Sequence, residues 1–150
     1  MAYLEWDKSL DTGINVIDQQ HQRIVDYINR LQAAIESWDR DEISDVFQEL
    51  IDYTETHFAF EESLQEQAGY EFLTGHQRIH QLFIKRLSGF HSRFEQGDPA
   101  AATEVSAMLR TWLINHIKTD DKDYVSVVQG TIRQEKKGGW LGKRLKKFFG

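Results

Sequence analysis

Five histidines and two acids in this chain are spaced so that helices could gather them. His57 and Glu61 are four residues apart, as are His76 and His80; His116 precedes Asp121 by five, and His21 lies upstream. Imidazole nitrogen and carboxylate oxygen are donors to first-row metal ions. Seven such groups suit one buried site holding two metals. A separation of four stacks side chains on one face of an α-helix, so each pair can reach one centre from one helix. The five-residue offset predicts that Asp121 lies beyond the last turn of its helix, where a break lets the carboxylate swing back.

The elements that must position these groups are legible as amphipathic periods. After an N-terminal arm over residues 1–17, His21, Ile24, Ile28, Leu31 and Ile35 recur at three- and four-residue steps, with Asp18 as the expected N-cap. A polar break at Ser37–Asp41 follows. The second helix carries Ile43, Val46, Phe47, Leu50, Thr54, His57, Phe58, Glu61 and Leu64 on one face and should end near Gln67-Ala68-Gly69, where glycine suits a C-terminal turn. The third shows Phe72, His76, Ile79, His80, Phe83, Leu87 and Phe94, stopping at Gly97. Asp98-Pro99 opens the fourth, with Val105, Leu109, Trp112, Leu113 and His116 inward. Short connections between four such helices predict an all-α, up-down-up-down four-helix bundle over residues 1–132.

A lone histidine on an apolar face is ordinarily a hydrogen-bonded core or boundary residue. That reading strains when five share the inward stripe beside two acids, because a buried carboxylate is costly unless paired or metal-bound. His91 is the contrast. It lies eleven residues after His80, about 16 Å along the axis, too far to join the same centre, and reads as a boundary residue. Glu62, about 100° round the helix from Glu61, is expected to be solvated, and Asp120 and Asp123 have weaker claims than Asp121.

Totals exclude several classes. The chain has 150 residues, no cysteine and no apolar run near bilayer length, which removes disulfide, thiolate and membrane-spanning readings. The first residues lack a signal-peptide pattern, so the expected compartment is the cytoplasm. The net charge of −6 is unevenly placed. Arg133, Lys136, Lys137, Lys143, Arg144, Lys146 and Lys147 against Glu135 leave 11 basic and 23 acidic residues, a net −12, on residues 1–132. So acidic a body argues against nucleic-acid binding.

The segments ending at Gln19-Gln20-His21, His57-Phe58-Ala59-Phe60-Glu61, His76-Gln77-Arg78-Ile79-His80 and Trp112-Leu113-Ile114-Asn115-His116, with Asp121 and Tyr124 downstream, resemble a bacterial hemerythrin. The resemblance covers nearly all of residues 4–125. It implies two non-haem iron ions joined by an oxo or hydroxo bridge, one held by His76, His80 and His116, the other by His21 and His57, with Glu61 and Asp121 bridging. Six donors fill the first iron and five the second, and the open position implies reversible dioxygen binding: carriage, storage or delivery, and not an enzyme. Leu113 would wall that position, with Trp112 and Phe58 helping to dry it. The alternatives are an oxygen or redox sensor, for which no output module is visible, and a di-iron enzyme acting on peroxide or nitric oxide.

Residues 133–150 form a separate basic tail. Gly138-Gly139 reads as a hinge. Leu141, Leu145, Phe148 and Phe149 would share one helical face, with the cations largely elsewhere. Residues 140–149 therefore suit a peripheral contact with an anionic membrane or an acidic partner; the bland alternative is that the segment folds back on its own acidic bundle.

Overall fold

The computed structural model describes residues 3–134 and 139–150. Four long helices form the body: α1 (Asn15–Ser37), α2 (Arg40–Ala68), α3 (Leu73–Glu95) and α4 (Ala100–Asn115). α4 runs through a π-helical turn, His116–Asp121, into α5 (Lys122–Gln134). A further helix, α6 (Trp140–Phe149), packs on α2. α1 packs on α2 and α4, and α3 packs on α2 and α4. With short connections between them, sequence neighbours are spatial neighbours, giving the expected all-α bundle. Among the described residues, no helix is long and apolar enough to cross a membrane.

Helix ends follow local chemistry. α1, α2 and α3 stop on the same paired hydrogen bonds: Asp39 N–H to Ala34 O, Tyr70 N–H to Gln65 O, and Asp98 N–H to Arg93 O, each with its inner partner bond. That closure needs a left-handed residue. Gly69 (φ 72°) and Gly97 (φ 96°) supply it without strain, whereas α1 uses Trp38 at φ 51° and bears the steric cost of a Cβ there. At the starts, Asp39 Oδ1 accepts Glu42 N–H at 3.1 Å and Asp98 Oδ1 accepts Ala100 N–H at 3.1 Å. Both satisfy donors that the first turn leaves free.

Asp18 does something other than the expected capping. α1 begins three residues earlier, at Asn15, and Asp18 lies inside its first turns. Its carboxylate reaches back to Thr12 N–H (2.8 Å), Thr12 Oγ1–H (2.7 Å) and Gly13 N–H (3.2 Å). It ties the arm to the bundle, at a bend where Gly13 has φ 89° and a Cβ would meet Gln129 Nε2 at 3.0 Å. The arm also contains a short 3₁₀ turn, Lys8–Leu10, and buries Leu4 and Leu10. Asn29 exchanges hydrogen bonds with both backbone groups of Leu4 at 2.8 and 2.9 Å.

The core is in two parts. One runs along the bundle and includes Ile28, Leu31, Phe47, Leu50, Leu87 and Leu109. The other gathers Ile14, Ile17, Phe60, Leu64, Tyr124 and Val128. His91 lies where the sequence suggested, at the boundary, with its ring stacked on Phe47 at 5.1 Å.

Candidate metal centre

α1 contributes His21, α2 contributes His57 and Glu61, α3 contributes His76 and His80, and the π turn contributes His116 and Asp121. All seven are buried, and the structure brings all of them together. Glu61, His76, His80, His116 and Asp121 offer donor atoms within 4.8 Å of one another, as do His21, His57 and Glu61.

Each carboxylate divides its oxygens between two groups of histidines. Glu61 Oε1 lies 3.4 Å from His80 Nε2 and 3.8 Å from His76 Nε2, while Oε2 lies 3.5 Å from His57 Nε2 and 3.6 Å from His21 Nε2. Asp121 Oδ1 faces His116 Nε2 at 3.0 Å and His76 Nε2 at 3.3 Å; Oδ2 faces His21 Nε2 at 3.1 Å. His76, His80 and His116 thus sit on one side of the two acids, and His21 and His57 on the other.

No break releases Asp121. The chain stays helical through His116–Asp121, but as a π turn. At about 100° per residue, five residues of α-helix would rotate Asp121 about 140° away from His116. The wider i→i+5 turn returns it to the same side.

The outer ring nitrogens of His57, His80 and His116 are held from behind. Glu62 Oε2 accepts from His80 Nδ1 at 2.8 Å, Asp120 Oδ2 from His116 Nδ1 at 2.9 Å, and Gln20 Oε1 from His57 Nδ1 at 2.6 Å. Glu62 is therefore not the solvated bystander the sequence suggested, and Asp120, set below Asp121 as a ligand, has a contact of its own with the site. One residue's rotation beside a candidate ligand aims each at a histidine ring, Glu62 across to α3 and Asp120 back one turn. From sequence Gln20 has no assigned role; an amide next to His21 is its only signal there. Tyr124 donates its hydroxyl to Glu61 Oε2 at 2.6 Å.

These outer bonds have a consequence inside. A neutral imidazole that donates through Nδ1 carries a lone pair on Nε2. His80 Nε2 and His116 Nε2 then face each other at 3.2 Å and also face carboxylate oxygens. Among the described residues, Glu61 Oε1 and both Asp121 oxygens are buried without a hydrogen-bond partner. Lone pairs converging on lone pairs need a cation between them, and this donor set fits metal ions. With only protons available, burial pushes His21 and His76 down, but their bonds to Asp121 and Glu61 outweigh it and raise them to about 9 and about 10. His116 rises to about 9 against burial, through the Asp121 charge and bonds to Asp120 and Asp121. For His57 burial wins, and its ring is pushed down to about 3. Glu61 and Asp121 are held well below the carboxylate range despite burial, because the surrounding imidazoles oppose it.

Of the expected pocket residues, Phe58 stacks on His80 (3.7 Å, 3°) and Trp112 on His116 (4.3 Å, 17°), so both cover the three-histidine side. Leu113 is buried in the main core, 3% exposed. Surface hollows of about 530 and 410 Å³ approach from outside, one along Trp112 and Asp120, the other along Phe58 and Glu62.

Fold and site together define a helical-bundle protein with a histidine-rich candidate metal centre at its core. Comparison with known proteins narrows this. Residues 12–128 match the family model of the hemerythrin HHE cation binding domain. The chain is 46% identical, over the full length of both proteins, to the bacteriohemerythrins of Pseudomonas aeruginosa and Stenotrophomonas maltophilia. It is 30% identical to that of Methylococcus capsulatus, over 83% of this chain and 95% of that one. A crystal structure of hemerythrin mutated at a leucine superposes with a TM-score of 0.76 at 28% identity, covering 85% of this chain and 98% of the other. The chain belongs to the hemerythrin family.

Proposed function

We propose that the seven buried side chains hold two non-haem iron ions, with an oxo or hydroxo bridge, and that the protein binds dioxygen reversibly there for carriage, storage or delivery in the cytoplasm. The observation that carries this reading is the division of each carboxylate's oxygens between a three-histidine and a two-histidine group. One acid spanning both groups, twice over, is an arrangement for a pair of ions. Imidazole and carboxylate accept several first-row metals; membership of the hemerythrin family favours iron. When bound, iron supplies the reversible electron exchange that dioxygen binding requires.

The chain's own residues would do the rest. Gln20, Glu62 and Asp120 fix the ring orientations and tautomers of His57, His80 and His116. Tyr124 holds Glu61 in place. His21 and His57 offer one nitrogen fewer than the opposite group, leaving more room for an outside ligand on their side. Phe58 and Trp112 keep water from His80 and His116, and Leu113 would wall the ligand position. On this reading the protein binds dioxygen and does not turn it over.

The test is anaerobic reconstitution with ferrous iron, followed by visible spectra on admitting and then removing air. Two irons per chain, with a charge-transfer band that appears and then bleaches, are expected. A band that decays irreversibly while peroxide is released or a substrate is oxidised would replace the binding reading with an enzymatic one. Failure to take up iron would overturn the ligand assignment itself.

A further inference from the structure

α6 is seated on the bundle by its apolar side. Trp140, Leu141, Leu145 and Phe148 pack against the cluster containing Ile17, Phe60 and Leu64. Phe148 and Phe149 meet the ring of Phe60 at 6.1 and 5.6 Å. Arg144 donates to Ser63 Oγ at 2.9 Å and Gln67 Oε1 at 3.4 Å. The fold-back reading of the tail is the arrangement observed. Of the expected hinge, Gly138 lies outside the described residues, and Gly139 starts α6 with φ 65°.

This seat is incomplete in three ways. No residue of α6 is fully buried, so the apolar face remains partly wet while docked. The indole Nε1 of Trp140 is enclosed without a hydrogen-bond partner among the described residues, an unfavourable place for a donor. Lys143, Lys146 and Lys147 are exposed, and the lysine or arginine ion pairs among the described residues are made by Arg30 and Arg93 instead. The cations thus stand on the outer side of a body carrying −12, directed at solvent.

We propose that α6 is a releasable helix whose second seat is an anionic lipid bilayer, the same Trp140, Leu141, Leu145 and Phe148 face serving both. A helix of ten residues is marginal alone, so it needs one seat or the other. A basic amphipathic helix with Trp, Leu and Phe on its apolar side lies in the bilayer interface, where an indole N–H finds polar partners at headgroup level. A bilayer accepts this face without matching its shape, whereas an acidic protein would need a fitted groove. Each basic side chain near an anionic leaflet adds on the order of fivefold in affinity. Release would also open one wall of a cleft of about 470 Å³ formed by Leu145 and Phe149 with Gln20, the residue behind His57.

The test uses no metal readout, so it stands or falls apart from the iron reading. The chain has no cysteine, so Ser63→Cys places a single thiol under Arg144 in the docked state. Full-length Ser63→Cys protein is mixed with phosphatidylcholine vesicles with and without phosphatidylglycerol, and sedimentation and the rate of maleimide labelling are followed. Expected are binding to the anionic vesicles alone, labelling that accelerates severalfold on binding, and a Trp140 emission shift lost in Trp140→Phe. Adding Lys143→Glu, Lys146→Glu and Lys147→Glu, which leaves the docked face intact, should weaken binding by about a hundredfold or more and keep labelling slow. No preference for anionic lipid would overturn the proposal. Binding with labelling still slow would also overturn it, since the helix would then have stayed on the bundle.

Discussion

His116 and Asp121 face each other, Nε2 to Oδ1, at 3.0 Å across five residues of helix that would separate them if the turn were regular. The π turn places a carboxylate from the fourth helix between two histidine groups while keeping the backbone hydrogen-bonded. It also leaves Asp120 against His116 Nδ1, so one widened turn supplies a ligand candidate and the group that orients its neighbour.

If Asp121 spans both groups, replacing one of its oxygens should cost the pair more than a single ion's affinity. Asp121→Asn is expected to lower iron content from two per chain to one or none while leaving the far-ultraviolet dichroism of the bundle unchanged. Full loading measured by metal analysis would remove Asp121 from the bridging position.

The groups behind the histidines are expected to act through orientation. Glu62→Ala, Asp120→Ala and Gln20→Ala should each reduce metal affinity by about 10- to 100-fold without unfolding the protein. Competition with a chelator of known affinity measures this. Equal affinities would mean that the rings are held by packing alone, chiefly by Phe58 and Trp112.

Tyr124 offers a stability prediction. Its hydroxyl is buried and donates to a charged carboxylate at 2.6 Å. Tyr124→Phe should destabilise the metal-free protein by about 1.5–3 kcal/mol, read from urea midpoints at unchanged m-value. A change within error would show that the histidines alone satisfy Glu61.

The pH dependence has opposite signs in its two parts. His21, His76 and His116 are raised from 6.5 to about 9–10 in the metal-free fold. Their contribution to its stability is fully present below about 6.5 and is lost as pH rises through 9–10. Glu61 and Asp121, held low, contribute above the ordinary carboxylate range and lose that contribution under acid. Metal must displace the histidine protons, so ferrous affinity should climb as pH rises from about 6.5 to 9–10, the same window over which metal-free stability falls. A titration showing pH-independent affinity over that window would contradict the protonation of these rings.

How far the sequence alone reached is clearest at the candidate ligands. The i,i+4 pairs His57/Glu61 and His76/His80 could be read directly, because helical periodicity is a local property and both pairs lie on faces marked by apolar neighbours. The glycine stops at Gly69 and Gly97 and the cap at Asp98 were equally local. The order of four helices with short connections left one simple bundle. Tertiary structure decided the rest. The π turn at His116–Asp121 depends on what the widened turn gains by facing other helices, and no local pattern records that. The same holds for Glu62, Asp120 and Gln20, since each acts on a ring across a helix interface or a turn whose geometry is not regular. Asp18 looked like a cap because its type and position suit one; only the path of the arm shows that it holds Thr12 and Gly13 instead. The tail's amphipathic pattern was visible, but its seat on Phe60 and Leu64 follows from an apolar patch that exists only once α1, α2 and α5 have packed.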